Sequence, residues 1–202
     1  MSLGETDRAA REALRARQGK GARYDAPNAP AEDLLLARRG TAWFARKLME
    51  LSDVELYEPS ARDGFTRAHV VSAVSYSARR SALMLESLRM GVEYAPASDE
   101  EEQLPTLDLA ATLPARALRH LFSHSEVHLN VCLRDLADAH WDMPFPMAIG
   151  NAKTPRALVR LRAMEVWFGS VDLANGARSA DIPAILRSEW APSVDNGRFA
   201  GA

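Results

Sequence analysis

The sequence predicts an all-α protein organised as a four-helix bundle, and three observations carry that prediction. Four long segments repeat apolar side chains at helical spacing. No segment shows the apolar–polar alternation of a half-buried strand. The link between the second and third helical segments, residues 91–113, is long, as a bundle needs when those two helices run parallel rather than antiparallel.

The elements follow in order. Residues 5–18 form a short, strongly charged helical pattern with few apolar anchors, and the Gly- and Pro-containing stretch after it reads as a linker. Residues 1–32 are therefore set apart from the bundle, which is expected to span 33–190, with 191–202 as a small, polar tail. The first bundle helix covers about 32–51, its apolar side supplied by Leu35, Leu36, Trp43, Phe44, Leu48 and Leu51. The second starts at Thr66, a residue suited to capping, and runs to about Met90, where Gly91 ends it. The third opens with Pro114 in its first turn and runs to about Ala139. Thr154 and Pro155 start the fourth, which ends near Ala174. A shorter helix over 181–190 begins with Asp181 and Pro183.

Composition excludes several function classes. A formal charge of −2 gives no global field to attract nucleic acid or an anionic membrane. No apolar run approaches the roughly 18 residues of a membrane span, and no signal-peptide pattern opens the chain. The single cysteine, Cys132, rules out an intrachain disulfide, so the cytoplasm is the expected compartment. Glycine-rich phosphate loops, GxSxG elbows, CxxC pairs and HExxH motifs are all absent from the sequence.

The stretch LRAMEVWFGSVDLA, residues 161–174, is apolar nearly all around its helical wheel yet carries Glu165. A carboxylate there needs a partner, since burying it alone is costly. The partner is a metal ion, a histidine or an arginine; a structural pair with Arg67 or Arg80 is one reading, and Arg162 shares its face. On the second helix His69, Ala73, Tyr76 and Arg80 lie along one stripe. His69, near the helix start, reads as a hydrogen-bonded or surface histidine or as a ligand. On the third, His120, His124 and His128 stand four residues apart, a spacing that can chelate zinc. The wheel places the apolar centre about 150° from His120 and about 70° from His128, so only His128 borders the core. Cys132 falls on the apolar side as a packing residue.

Several segments together resemble one family. LLLARRGTAWFARKL, DGFTRAHVVSAVSYSARRSALML, LRDLADAHWDMPF, LRAMEVWFGSVDLA and DIPAILRSEW look like the N-terminal metal-binding domain of the mycothiol-dependent maleylpyruvate isomerase family, over residues 33–190. The resemblance implies a DinB-like four-helix bundle holding a divalent metal, usually zinc, on three side chains at its centre. It also implies a low-molecular-weight thiol that adds to a double bond of maleylpyruvate and permits cis-to-trans rotation. The family's three ligand positions fall here on Ala73, Glu165 and Gly169, so two are occupied by residues without a donor.

The expectation from this resemblance is an isomerase-like protein with a degenerate metal site. It would be a metal-free ligand-binding or interaction module that does not perform the isomerase reaction, with a small molecule in the bundle core and homodimerisation through exposed helix faces. The alternative is a thiol-dependent, metal-assisted isomerase or transferase using a relocated site. There His69 and Glu165 would be the catalytic candidates, and His69, Glu165 and His128 the metal candidates. Arg67, Tyr76 and Arg80 would contact the cofactor. If no metal is held, Arg67, Arg80, Arg162 or His69 should compensate Glu165.

Overall fold

A computed structural model of the chain describes residues 25–94 and 106–189. The charged helix expected over 5–18, the acidic patch at 98–102 and the tail from 191 lie outside the described residues. Six α-helices are present among the described residues: α1 (Ala31–Glu50), α2 (Arg67–Met90), α3 (Leu107–Ala110), α4 (Ala115–Arg134), α5 (Pro155–Asp172) and α6 (Ala184–Ser188). Among those residues β-structure is limited to two isolated bridges.

Local chemistry sets the helix ends. Glu32 and Asp33 place negative charge in the first turn of α1, where the helix dipole favours it. Thr66 caps α2, and Gly91 closes it in the left-handed conformation at φ 65°. On α5 the Thr154 hydroxyl accepts from the Ala157 amide at 3.3 Å, and Pro155 occupies the first turn, where its missing N–H costs nothing.

Three sequence expectations need correction. Leu35 is 49% exposed, while Leu34 and Ala37 join the expected Phe44, Leu48 and Leu51 in the core. The third long helix, α4, stops at Arg134 rather than near Ala139, and Pro114 sits at its cap. The chain turns there so that Leu136 and Trp141, both buried, reach the core. The last helix is only five residues long, because a 3-10 turn over Ser179–Asp181 takes up the start expected for it.

Contacts at the helix ends give the topology. His69 near the start of α2 faces Asp108 just before α4, while Glu86 near the end of α2 meets His128 near the end of α4. These two helices are therefore parallel, as the long crossover requires. Asp33 pairs with Arg160 and, further along, the Lys47 carbonyl accepts from Asn175, so α1 and α5 are parallel as well. Phe44 packs against Phe122, and Ser77 bonds Glu165, which places the antiparallel pairs α1–α4 and α2–α5 side by side. The order is up, down, down, up.

The core forms two apolar clusters. One gathers Phe44, Leu48, Val70, Val74, Leu118, Phe122 and Val166. The other gathers Leu34, Ala82, Leu85, Leu129, Leu133, Trp141 and Leu158. Between them, at the mid-height of the bundle, lies a layer of charge.

Candidate functional site

That layer is built on Arg162, whose side chain is only 2% exposed. Its Nη1 donates to the Glu165 carboxylate at 2.8 Å and to the Val74 carbonyl at 3.0 Å. Its Nη2 donates to Glu126 on α4. Glu165 accepts a second bond, 2.6 Å long, from the Ser77 hydroxyl on α2, and Glu126 accepts from Thr41 on α1 at 3.2 Å. All four long helices thus send a polar side chain to one point. The position of Arg162 three residues before Glu165 puts the guanidinium and the carboxylate on one face of α5.

One guanidinium faces two largely buried carboxylates. Burial acts to discharge Arg162, but Glu126 and Glu165 outweigh it and hold the guanidinium above its ordinary range. Burial also pushes the Glu126 carboxyl up, against the pull of Arg162 and Thr41, and the Glu165 charge adds to that push. The group is therefore short of positive charge. Arg162 Nε also has no hydrogen-bond partner among the described residues.

A cavity of about 310 Å³ opens over this layer between α1 and α4. Leu34, Ala37, Leu129 and Leu133 give it apolar walls, and Thr41, Glu126 and Arg162 supply polar groups. At its rim Arg38 bonds Asn130 and is clamped in bidentate fashion by Asp25. Few polar groups among apolar walls is the usual character of a small-molecule site.

The other sequence candidates lie elsewhere. His69 completes the cap of α2: its Nδ1 accepts from the Thr66 amide at 3.1 Å, which leaves the proton on Nε2, facing Asp108 at 3.3 Å. Ser77, which holds Glu165, is eight residues further along α2, or about 12 Å. His128 bonds Glu86 at 3.0 Å, seventeen residues beyond His69 and about 25 Å away along the same helix. His69, Glu165 and His128 therefore do not converge, and the relocated metal site is not assembled. Arg67 spends its donors on the Leu173 and Glu55 carbonyls and on Glu58, tying the start of α2 to the end of α5. Tyr76 is buried, and burial raises its phenol against the effect of Arg79, keeping it neutral. Arg80 is half-buried on α2. Of the cations put forward for Glu165, Arg162 bonds it directly.

Glu126 was missed by sequence reasoning. Its signal was present, since it stands four after Phe122, three before Leu129 and seven before Leu133, inside the buried stripe of α4. His120 and His124 are exposed and stacked on one another, as the wheel implied.

The two other positions that the resemblance assigns to metal ligands lie in the packed interior. Ala73, buried, is one turn before Ser77 on α2. Gly169, one turn after Glu165, is packed so closely that a Cβ there would lie 3.2 Å from both Phe44 and Val74.

Comparison with known proteins places this arrangement in context. The family model described as the mycothiol maleylpyruvate isomerase N-terminal domain matches residues 37–174, which takes in nearly all of the four long helices. Two solved structures are similar. The mycothiol-dependent maleylpyruvate isomerase is 30% identical, with 77% of this chain and 65% of that chain covered and a TM-score of 0.70. A histidine-to-alanine mutant of that enzyme is 31% identical over the same shares, again with a TM-score of 0.70. The chain thus spans under two thirds of the length of either. No curated protein matches it.

Proposed function

Because the chain belongs to the mycothiol maleylpyruvate isomerase N-terminal domain family, we propose that it is a member whose bundle centre holds no metal, in which the Arg162 guanidinium does the electrostatic work of the family's cation, and that it binds a small molecule rather than performing the isomerase reaction. The observation that carries this reading is Arg162 held between Glu126 and Glu165 at the bundle centre.

The donor set does not suit a divalent ion. A catalytic zinc takes about three protein ligands. Ala73 and Gly169 offer none, and the two Glu165 oxygens are engaged by Ser77 and Arg162. An ion beside Glu165 would also face the guanidinium at close range, a repulsion that grows in a dry interior. Refilling position 169 with an imidazole would require Phe44 to move.

The same arrangement suits a bound molecule. The 310 Å³ cavity has room for a small ligand, mostly apolar with one hydrogen-bonding end. An acceptor on that end would satisfy Arg162 Nε, and a cationic donor would offset the surplus carboxylate charge. The reading built on His69 and Glu165 would need those residues to meet, and the capping role of His69 opposes that.

The test is a rate measurement. Purified protein supplied with mycothiol and zinc should not accelerate maleylpyruvate isomerisation above the rate with mycothiol alone. Turnover that requires zinc and disappears in Glu165→Gln would overturn the proposal.

A further inference from the structure

At the carboxy-terminal ends of α2 and α4, well away from Glu165, three side chains of different chemistry meet. Glu86, His128 and Cys132 each offer one ligand atom, and these atoms lie within 4.8 Å of one another. Glu86 Oε1 is 3.0 Å from His128 Nε2. His128 and Cys132 are four residues apart on one face of α4, a spacing that lets both reach one point, and α2 brings Glu86 alongside. Ser77, the α2 residue at the charged layer, is nine residues before Glu86, about 13 Å along the helix.

We propose that Glu86, His128 and Cys132 form a zinc-binding site that clamps α2 to α4, through one sulfur, one nitrogen and one oxygen, with the fourth position open to water. The distances permit it. Zinc bonds of about 2.0–2.3 Å in a tetrahedron set neighbouring donors about 3.3–3.7 Å apart, so the Glu86–His128 pair at 3.0 Å opens slightly to admit the ion and no donor starts more than 4.8 Å from another. The charges also close: one thiolate and one carboxylate balance the ion, with a neutral imidazole beside them. A thiolate among the donors selects zinc over magnesium or calcium. Cys132 forms the inner wall at 4% exposure, while the side chains of Glu86 and His128 are 32% and 30% exposed and leave a path for the ion.

The proton balance follows from the hydrogen bonds. Without metal, His128 Nε2–H faces the Glu86 carboxylate. Burial, then the charge and hydrogen bond of Glu86, push the Cys132 thiol up to about 12, so the metal-free thiol stays protonated and unreactive. On binding, the S–H proton leaves to solvent as the sulfur–zinc bond forms. The imidazole then carries its proton on Nδ1 and turns the Nε2 lone pair to the ion. This site is independent of what occupies the bundle centre.

Cobalt(II) titration of chelator-treated full-length protein tests the proposal. One cobalt per chain should bind, with a thiolate-to-metal charge-transfer band that zinc abolishes by competition. Cys132→Ser should remove the band, and Glu86→Gln and His128→Gln should weaken cobalt binding by at least about tenfold, no less than the loss of an outer-sphere partner costs. A double variant, His120→Gln with His124→Gln, should change neither, and far-ultraviolet dichroism should show every variant helical. Absence of the band in the unmodified protein, its persistence in Cys132→Ser, or its loss in the His120 and His124 variant would each overturn the proposal.

Discussion

At the scale of single residues, the account turns on the neighbours of one buried cation. A guanidinium shared by two carboxylates adds little net stability over an apolar packing, yet removing it leaves both acids buried without compensation. Arg162→Met should therefore cost about 3–5 kcal/mol at neutral pH, read as a lower urea midpoint. The pH dependence has a definite sign. Glu126 is raised above its reference value of 4.5 by burial, so the folded state binds its proton more readily than the unfolded state does. Its contribution is full below the unfolded value and is lost as pH rises through the folded one. Without Arg162 the folded value climbs further, so the deficit of Arg162→Met should be largest at neutral pH and shrink in acid. A deficit that stays constant between about pH 4 and pH 8 would mean that Glu126 is not a buried partner of Arg162. Glu165 was legible as an anomaly because a charge in a helix apolar on all sides stands out against its neighbours. Its partner was legible only as one of several cations within reach.

Among the elements, α1 and α5 meet through a glycine. A Cβ at Gly40 would lie 2.5 Å from Val166 and 2.7 Å from Trp167, closer than packed atoms come. Helix propensity favours alanine over glycine by about 1 kcal/mol, but the collision outweighs it. Gly40→Ala should destabilise the protein by about 1–3 kcal/mol, read by urea unfolding. An alanine variant as stable as the parent would show that the two helices are not in this close contact. The long helices were readable because their periodicity, caps and stop signals agree, Thr66 and Gly91 bounding α2 as expected. Boundaries slipped where tertiary packing overrides local pattern. The helical signal of α4 continues past Arg134, but burying Trp141 and Leu136 requires the chain to turn. On α1 Leu35 reads as a core residue in place of Leu34, because Leu34, Leu35 and Leu36 are chemically alike and only the fold chooses among them.

For the whole molecule, the parallel pairing of α2 with α4 could be read from the length of the crossover alone. The meeting of Thr41, Ser77, Glu126, Arg162 and Glu165 could not, because five polar residues on four helices converge only once the bundle is assembled. The helices are those of the mycothiol maleylpyruvate isomerase N-terminal domain family, and no described helix is long and apolar enough to cross a membrane. On the proposed reading, the charge at the centre is fixed to α5 as Arg162 in place of an exchangeable ion. The most direct test is zinc analysis of tag-free Cys132→Ser protein, in which the peripheral thiolate is gone, after chelation and re-exposure to zinc. The account predicts no stoichiometric zinc, and no change when Glu165→Ala is added. About one zinc per chain, lost on Glu165→Ala, would contradict it.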